Sequence, residues 1–202
     1  MKYYDLPASP NARRVRIFMA EKDLHIEKIV MDIGKGEHKT QEYLAKNSLG
    51  MMPLLELDDG TCIAESATIC RYLEELHPEN PLHGSTALER AQVDMWQRRM
   101  ELELLLPVIN IFVNTHEMWK DRVQVPQYAE VCRDRVIDRM AWLDRALEDR
   151  EFIAGDQYSV ADIAGQCAIL MAKLAAGLPI PDDHGNLAAW WSRVSSRPTA
   201  RA

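Results

Sequence analysis

Four short stretches of this sequence place polar or special backbone groups at turns and element junctions, where they can do chemistry. The first is Ser9-Pro10-Asn11, where a strand-like run (Tyr3, Tyr4, Leu6) gives way to a helical pattern from Asn11 to Arg16. A hydroxyl before a proline at such a junction suits an N-cap, with Ser9 accepting a backbone N–H and Pro10 at the first helical position. The same hydroxyl can donate its hydrogen to a bound anion, because a helix start favours negative charge. The Asn11 amide can donate as well. The second stretch is Met52-Pro53, an X-Pro pair that is either an ordinary trans start to a strand or a cis bond. The third is Glu65-Ser66, where a strand ends and a helix begins; Ser66 reads as its N-cap, and the helix start offers N–H groups to a carboxylate. The fourth is His38-Lys39, which alone reads as a solvated loop pair.

The chain offers no dithiol of its own. Ser9 and Ala12 have the C-x-x-C spacing without the sulfur, and Cys62, Cys70, Cys132 and Cys167 show neither redox-like nor metal-like pairing. They read as reduced, buried thiols. Further along, Ile109, Phe112, His116 and Trp119 fall at spacings of three and four, one stripe of a helix. Such a stripe is either core or the wall of an apolar pocket. Trp190 and Trp191 read as packing residues.

The elements that must position these groups follow from periodicity. After the opening strand, Val15, Phe18 and Met19 mark a helix ending near Asp23. "IEKIVMDI" (26–33) suits a strand, "KTQEYLAKN" a short helix stopped at Asn47, and "PLLELDDGTCIAES" a hairpin turning at Asp59-Gly60. A helix from Ser66 to about Leu76 closes this half. "PENPLHGS" (78–85) then concentrates turn residues, and everything after it reads as helix. The spacing predicts one long helix over about 86–119 with a kink at Pro107. Others start at Pro126, at "SVADI" and near Asn186; Ser159 and Asp162 form a capping-box pattern, with Tyr158 and Ile163 as a hydrophobic staple. The reading is residues 1–78, a linker at 79–85, and an all-helical 86–202. A βαβ start makes the first two strands parallel.

Bulk properties bound the function. Net charge is -7, split evenly: 10 basic and 14 acidic residues in 1–80, 14 and 17 in 81–202. No basic block points to nucleic acid or an anionic membrane. Charges at Lys2 and Asp5 argue against a signal peptide, and the apolar segment 163–178 is too short to span a bilayer. The expectation is a cytoplasmic protein.

Taken together, Ser9 followed by Arg14-Val15, "GEHKTQEYLAKNSLGMMPLLE" (36–56), "ES" (65–66) and "SVADI" (159–163) resemble the cytosolic glutathione S-transferases, in particular bacterial, serine-type, phi/theta-like members. The resemblance covers nearly the whole chain. It implies a thioredoxin-like α/β N-terminal domain, an all-α C-terminal domain, usually a homodimer, and glutathione as co-substrate without a metal. By resemblance, Ser9 donates to the glutathione thiolate, with Asn11 as a second candidate. Met52 offers its backbone N–H and C=O to the cysteinyl part beside a cis bond to Pro53, and Glu65 and Ser66 meet the γ-glutamyl ammonium and carboxylate. His38 and Lys39 hold the glycine carboxylate. The long helix would lie above the thiol, its stripe of Ile109, Phe112, His116 and Trp119 facing Leu6 and Pro7 to form the electrophile pocket. One departure is Met51, where relatives often carry Gln. The activity implied is conjugation of glutathione to small, mostly apolar electrophiles. Glutathione-dependent isomerisation, dehalogenation or disulfide reduction, and non-catalytic binding or regulation, are the alternatives.

Overall fold

The computed structural model describes residues 1–202. The chain divides into two compact units, Met1–Pro81 with Arg201–Ala202, and Leu82–Ala200. The first holds β1 (Lys2–Asp5), α1 (Pro10–Glu21), β2 (Glu27–Val30), a 3-10 turn (Glu37–Lys39), α2 (Gln41–Lys46), β3 (Leu54–Glu56), β4 (Cys62–Ala64) and α3 (Ser66–Leu76). The sheet order is β2-β1-β3-β4; β1 and β2 run parallel, while β3 is antiparallel to both β1 and β4. This is a thioredoxin-like domain.

Strand alternation sorts the core onto two faces. Tyr4 and Leu54 pack with Met31 and with Tyr43 of α2. Tyr3 and Leu55 point the other way and are fully buried, with the Tyr3 hydroxyl donating to the Ala12 carbonyl of α1 at 2.7 Å. Two polar links tie α1 to α3. Near their starts Arg14 Nη1 donates to Ser66 Oγ at 2.6 Å. Near their ends Lys22 Nζ meets Glu74 Oε2 at 2.8 Å, with side chains 2% and 9% exposed, and also donates to the carbonyls of His77 and Glu79.

The second unit is helical: α4 (Ala87–Arg99), α5 (Leu106–Thr115), a 3-10 turn (Glu117–Trp119), α6 (Pro126–Ala146), α7 (Val160–Ala175) and α8 (Gly185–Ser195). Between α4 and α5 the backbone opens into a π-helical stretch, Met100–Leu105. The irregularity therefore precedes Pro107 rather than sitting on it. Proline has no N–H and its ring crowds the carbonyl four residues back, here Glu103 inside the widened stretch. No helix is long and apolar enough to cross a membrane.

Asp162 organises this unit. Its capping box with Ser159 is complete, and its carboxyl accepts from Ser159 N, Ser159 Oγ, Ile153 N (2.9 Å) and Trp190 Nε1 (2.8 Å). One side chain thus starts α7 and anchors both the 152–155 turn and α8. Trp190 is a packing residue, fully buried. At Gly165 a Cβ would fall 2.5 Å from the tip of the Ile153 side chain and 3.1 Å from the Trp190 ring, so a larger residue would press on both the 152–155 turn and α8.

Burial pushes the Asp162 carboxyl up to about 6 against the pull of its four donors. A carboxyl raised above its unfolded value stabilises fully below about pH 4 and loses that contribution as pH rises through about 6. The stability advantage of the native chain over Asp162→Asn, from urea unfolding, is expected to be smaller at pH 7 than at pH 4 by on the order of 2–3 kcal/mol. An advantage that grows with pH would mean the four donors keep Asp162 ionised throughout.

Candidate functional site

Sheet register brings the four stretches to one end of the first unit. Tyr4 pairs with Leu54 and Leu54 with Ala64. The chain therefore leaves β1 towards Ser9, enters β3 from Met52-Pro53 and leaves β4 into Glu65, all at the same end. Asp5 pairs in parallel with Val30, so the exit of β2 towards His38 lies there too.

Ser9 is the N-cap of α1, at φ -79° and ψ 127°, with Pro10 at the first helical position. Its oxygen accepts the Ala12 N–H at 3.4 Å, a long and weak cap. Its hydroxyl hydrogen and the Asn11 amide group have no acceptor within the chain. The loop before Ser9 is pinned from α1: Arg16 donates to Asp5 Oδ1 at 2.6 Å and to the Pro7 carbonyl at 3.1 Å, and Asp5 is 1% exposed.

The Met52-Pro53 bond is cis. Just before it, the Met51 carbonyl accepts from Tyr43 Oη at 2.7 Å and Asn47 Nδ2 at 2.8 Å. Burial pushes the Tyr43 hydroxyl up to about 12, so it stays a donor. Asn47 ends α2, as its sequence position suggested, and in addition clamps this peptide. The N–H and C=O of Met52 itself have no partner in the chain. The Met51 side chain is exposed and offers no polar donor.

His38 and Lys39 sit in the 3-10 turn beside this loop. Gly50 adopts φ +62°, and a Cβ there would lie 2.8 Å from the His38 carbonyl oxygen. Only glycine permits that backbone approach. His38 Nδ1 is buried without a hydrogen-bond partner, and Lys39 is exposed without an ion pair.

At α3 the sequence reading needs correction. Ser66 is the first helical residue, and Glu65 takes the N-cap position at φ +66° with no side-chain cap bond. Ser66 lies one residue past the cap position, is 4% exposed, and its hydroxyl oxygen accepts from Arg14. The N–H groups of Ser66, Ala67 and Thr68 consequently have no acceptor in the chain. Glu65 itself is exposed.

The long helix also ends sooner than its periodicity suggests. Helix α5 stops at Thr115; His116 turns extended at ψ 138°, and Trp119 belongs to the following 3-10 turn. The side chains of Asn114 and Thr115 bond back to the Asn110 and Ile111 carbonyls, and His116 Nδ1 accepts the Met118 N–H, diverting the chain. Ile109 and Phe112 remain on α5, both half-buried, and the Phe112 and His116 rings still meet at 4.5 Å. The four residues are therefore not one helical stripe. Leu6 and Pro7 belong to the first unit, Ile109, Phe112, His116 and Trp119 to the second.

Sequence reasoning did not assign roles to Arg14, Arg16, Asp5 or Tyr43. In "ARRVRI" three arginines fall within six residues, and no local rule says which of them turns inward.

Residues 4–81 match the family model for the glutathione S-transferase N-terminal domain, and residues 102–198 match that for the C-terminal domain. Glutathione S-transferase 2 of Saccharomyces cerevisiae is 38% identical over 100% of this chain and 88% of its own length. The crystal structure of Gtt2 from Saccharomyces cerevisiae superposes with a TM-score of 0.91 at 37% identity, covering 100% of this chain and 99% of that one. A glutathione S-transferase domain-containing protein of Marinobacter aquaeolei gives 0.94 at 36% identity, covering 99% and 100%.

The backbone approach at Gly50 has a built-in control. Gly36 also has positive φ, at +74°, but a Cβ there would meet nothing within 4 Å. Gly36→Ala should cost about 1 kcal/mol of unfolding free energy from backbone strain alone. Gly50→Ala should cost about 1–3 kcal/mol more, because the His38 carbonyl must also move. Equal losses in parallel denaturant titrations would show that the two loops are not locked together.

Proposed function

This chain belongs to the glutathione S-transferase family, and on that premise we propose that it binds glutathione at the strand-exit end of its first unit and conjugates the thiolate to small, mostly apolar electrophiles. The observation that carries the reading is Met52, whose open N–H and C=O are held in place by the clamp on the Met51 carbonyl. An extended peptide pairs with such a backbone edge as an added strand. The cysteinyl part of glutathione occupies it. The γ-glutamyl carboxylate then takes the open N–H groups of α3 and the Ser66 hydroxyl, and exposed Glu65 takes the ammonium. The glycine carboxylate takes exposed Lys39, with His38 beside it in the same turn.

Chemistry follows from the start of α1. A thiol attacks as thiolate and ordinarily titrates near pH 8.5, so a donor that favours the anion raises the reactive fraction at neutral pH. Ser9 supplies that donor, since its weak cap bond engages only the oxygen and leaves the hydrogen to give. Asn11 is the second candidate, by the same argument applied to its free amide. Holding the electrophile beside the thiolate supplies the remainder by proximity.

The protein should be retained on immobilised glutathione and released by the free tripeptide; flow-through with no heat of binding would remove the reading at its base. In bound glutathione, the thiolate absorbance should titrate about one pH unit or more higher in Ser9→Ala than in the native protein. The shift in Asn11→Ala should be smaller. The reverse order assigns the thiolate to Asn11, and no shift in either variant points to glutathione binding without activation.

A homodimer is part of the proposal, with α3 and α4 meeting their copies: Leu76 on α3 and Leu88 and Met95 on α4 are exposed apolar side chains. Sedimentation should return twice the 23.1 kDa chain mass at micromolar concentration, and a monomer would discard it.

A further inference from the structure

We propose that Arg14 is a positioning residue that makes the start of α3 selective for a carboxylate, acting through Ser66. The inference rests on the preceding reading, in which that helix start takes the γ-glutamyl carboxylate. Arg14 is 3% exposed and Ser66 4%, and Nη1 donates to Oγ at 2.6 Å. An arginine has only donors and remains charged in a protein. The Ser66 oxygen must therefore accept on that side, which leaves its single hydrogen to be donated elsewhere. The bond thus fixes the direction of the hydroxyl dipole.

The guanidinium also adds a full positive charge behind a helix start whose first N–H groups are open. A helix beginning ordinarily satisfies one of those donors with its N-cap side chain. Here Glu65 holds the cap position at φ +66° without capping, and the Ser66 oxygen is engaged by Arg14. Both departures leave N–H donors free for an acceptor from outside. A buried charge strengthens such contacts because little water screens it. A neutral or cationic group at the same place gains nothing from this arrangement. Arg14 touches no ligand atom in this account; it sets what Ser66 and the helix start can accept.

The test compares two ligands, glutathione and the analogue in which the γ-glutamyl residue is replaced by 4-aminobutyrate, lacking only the α-carboxylate. Calorimetry on the native protein comes first. A preference for glutathione of about tenfold or more is expected; no preference would sink the carboxylate assignment itself, independently of Arg14. Given that preference, Arg14→Gln should cut glutathione affinity about tenfold while leaving the analogue within about twofold. Arg14→Lys, which restores the charge, should recover most of the preference. Equal weakening of both ligands, or unchanged preference in Arg14→Gln, overturns the proposal. If Arg14→Gln does not fold by circular dichroism, Ser66→Ala removes the hydroxyl that relays the charge while keeping Arg14. The same selective loss is then expected, and an equal or absent loss again overturns the proposal.

Discussion

The bond from Arg14 to Ser66 joins the first turns of two helices, and much of the first unit is arranged around it. Both partners are nearly buried, so a charged group has been taken into the interior, at a desolvation cost that only good geometry offsets. The return is positional. With Lys22 and Glu74 linked at the far end, α1 cannot slide along α3, and the two helix starts are fixed against each other. The register Tyr4–Leu54–Ala64 then fixes both against the entrance to β3.

Backbone groups left without partners are usually a liability. In this unit they cluster at one end, at Met52 and the first turn of α3, beside the free side-chain donors of Ser9 and Asn11. The surrounding bonds are spent on holding these groups still rather than on satisfying them. Tyr43 and Asn47 grip the carbonyl before the cis bond, Arg16 grips the Pro7 carbonyl, and Gly50 lets one loop rest on the other. The matches to both domain models of the glutathione S-transferase family fix the fold, and the proposed glutathione site is built on this set of open groups.

Most of this was legible wherever one local rule decided the outcome. The Asp59-Gly60 turn, the capping box at Ser159 and Asp162, and the parallel first pair of strands each follow from residue types at fixed offsets. The misreadings share a different cause. Ser66 looks like a cap until Arg14 claims its hydroxyl, and that partner lies 52 residues away. Glutamate is no favourite at positive φ, so its place before α3 has no signature in sequence. The stripe from Ile109 to Trp119 keeps helical spacing past the point where Asn114 and Thr115 divert the backbone; periodicity records which side chains are apolar, not where the hydrogen bonds stop. Arg14 was visible as part of a family pattern while its physical role was not.

The widened stretch at Met100–Leu105 has its own geometric result. Buried residues run through it at unbroken spacings of three and four: Val93, Trp96, Met100, Leu104, Val108 and Ile111. In an ordinary helix that sequence draws a nearly straight band along the cylinder. Each residue in a π-helical turn advances the chain by less rotation than the 100° of an α-helix. The band is therefore wound sideways as it passes, and it emerges pointing in another direction. Upstream, α4 packs on α7; downstream, α5 packs chiefly on α6. A pattern that is straight on paper thus serves two different neighbours, and the six loosened residues perform the hand-over between them.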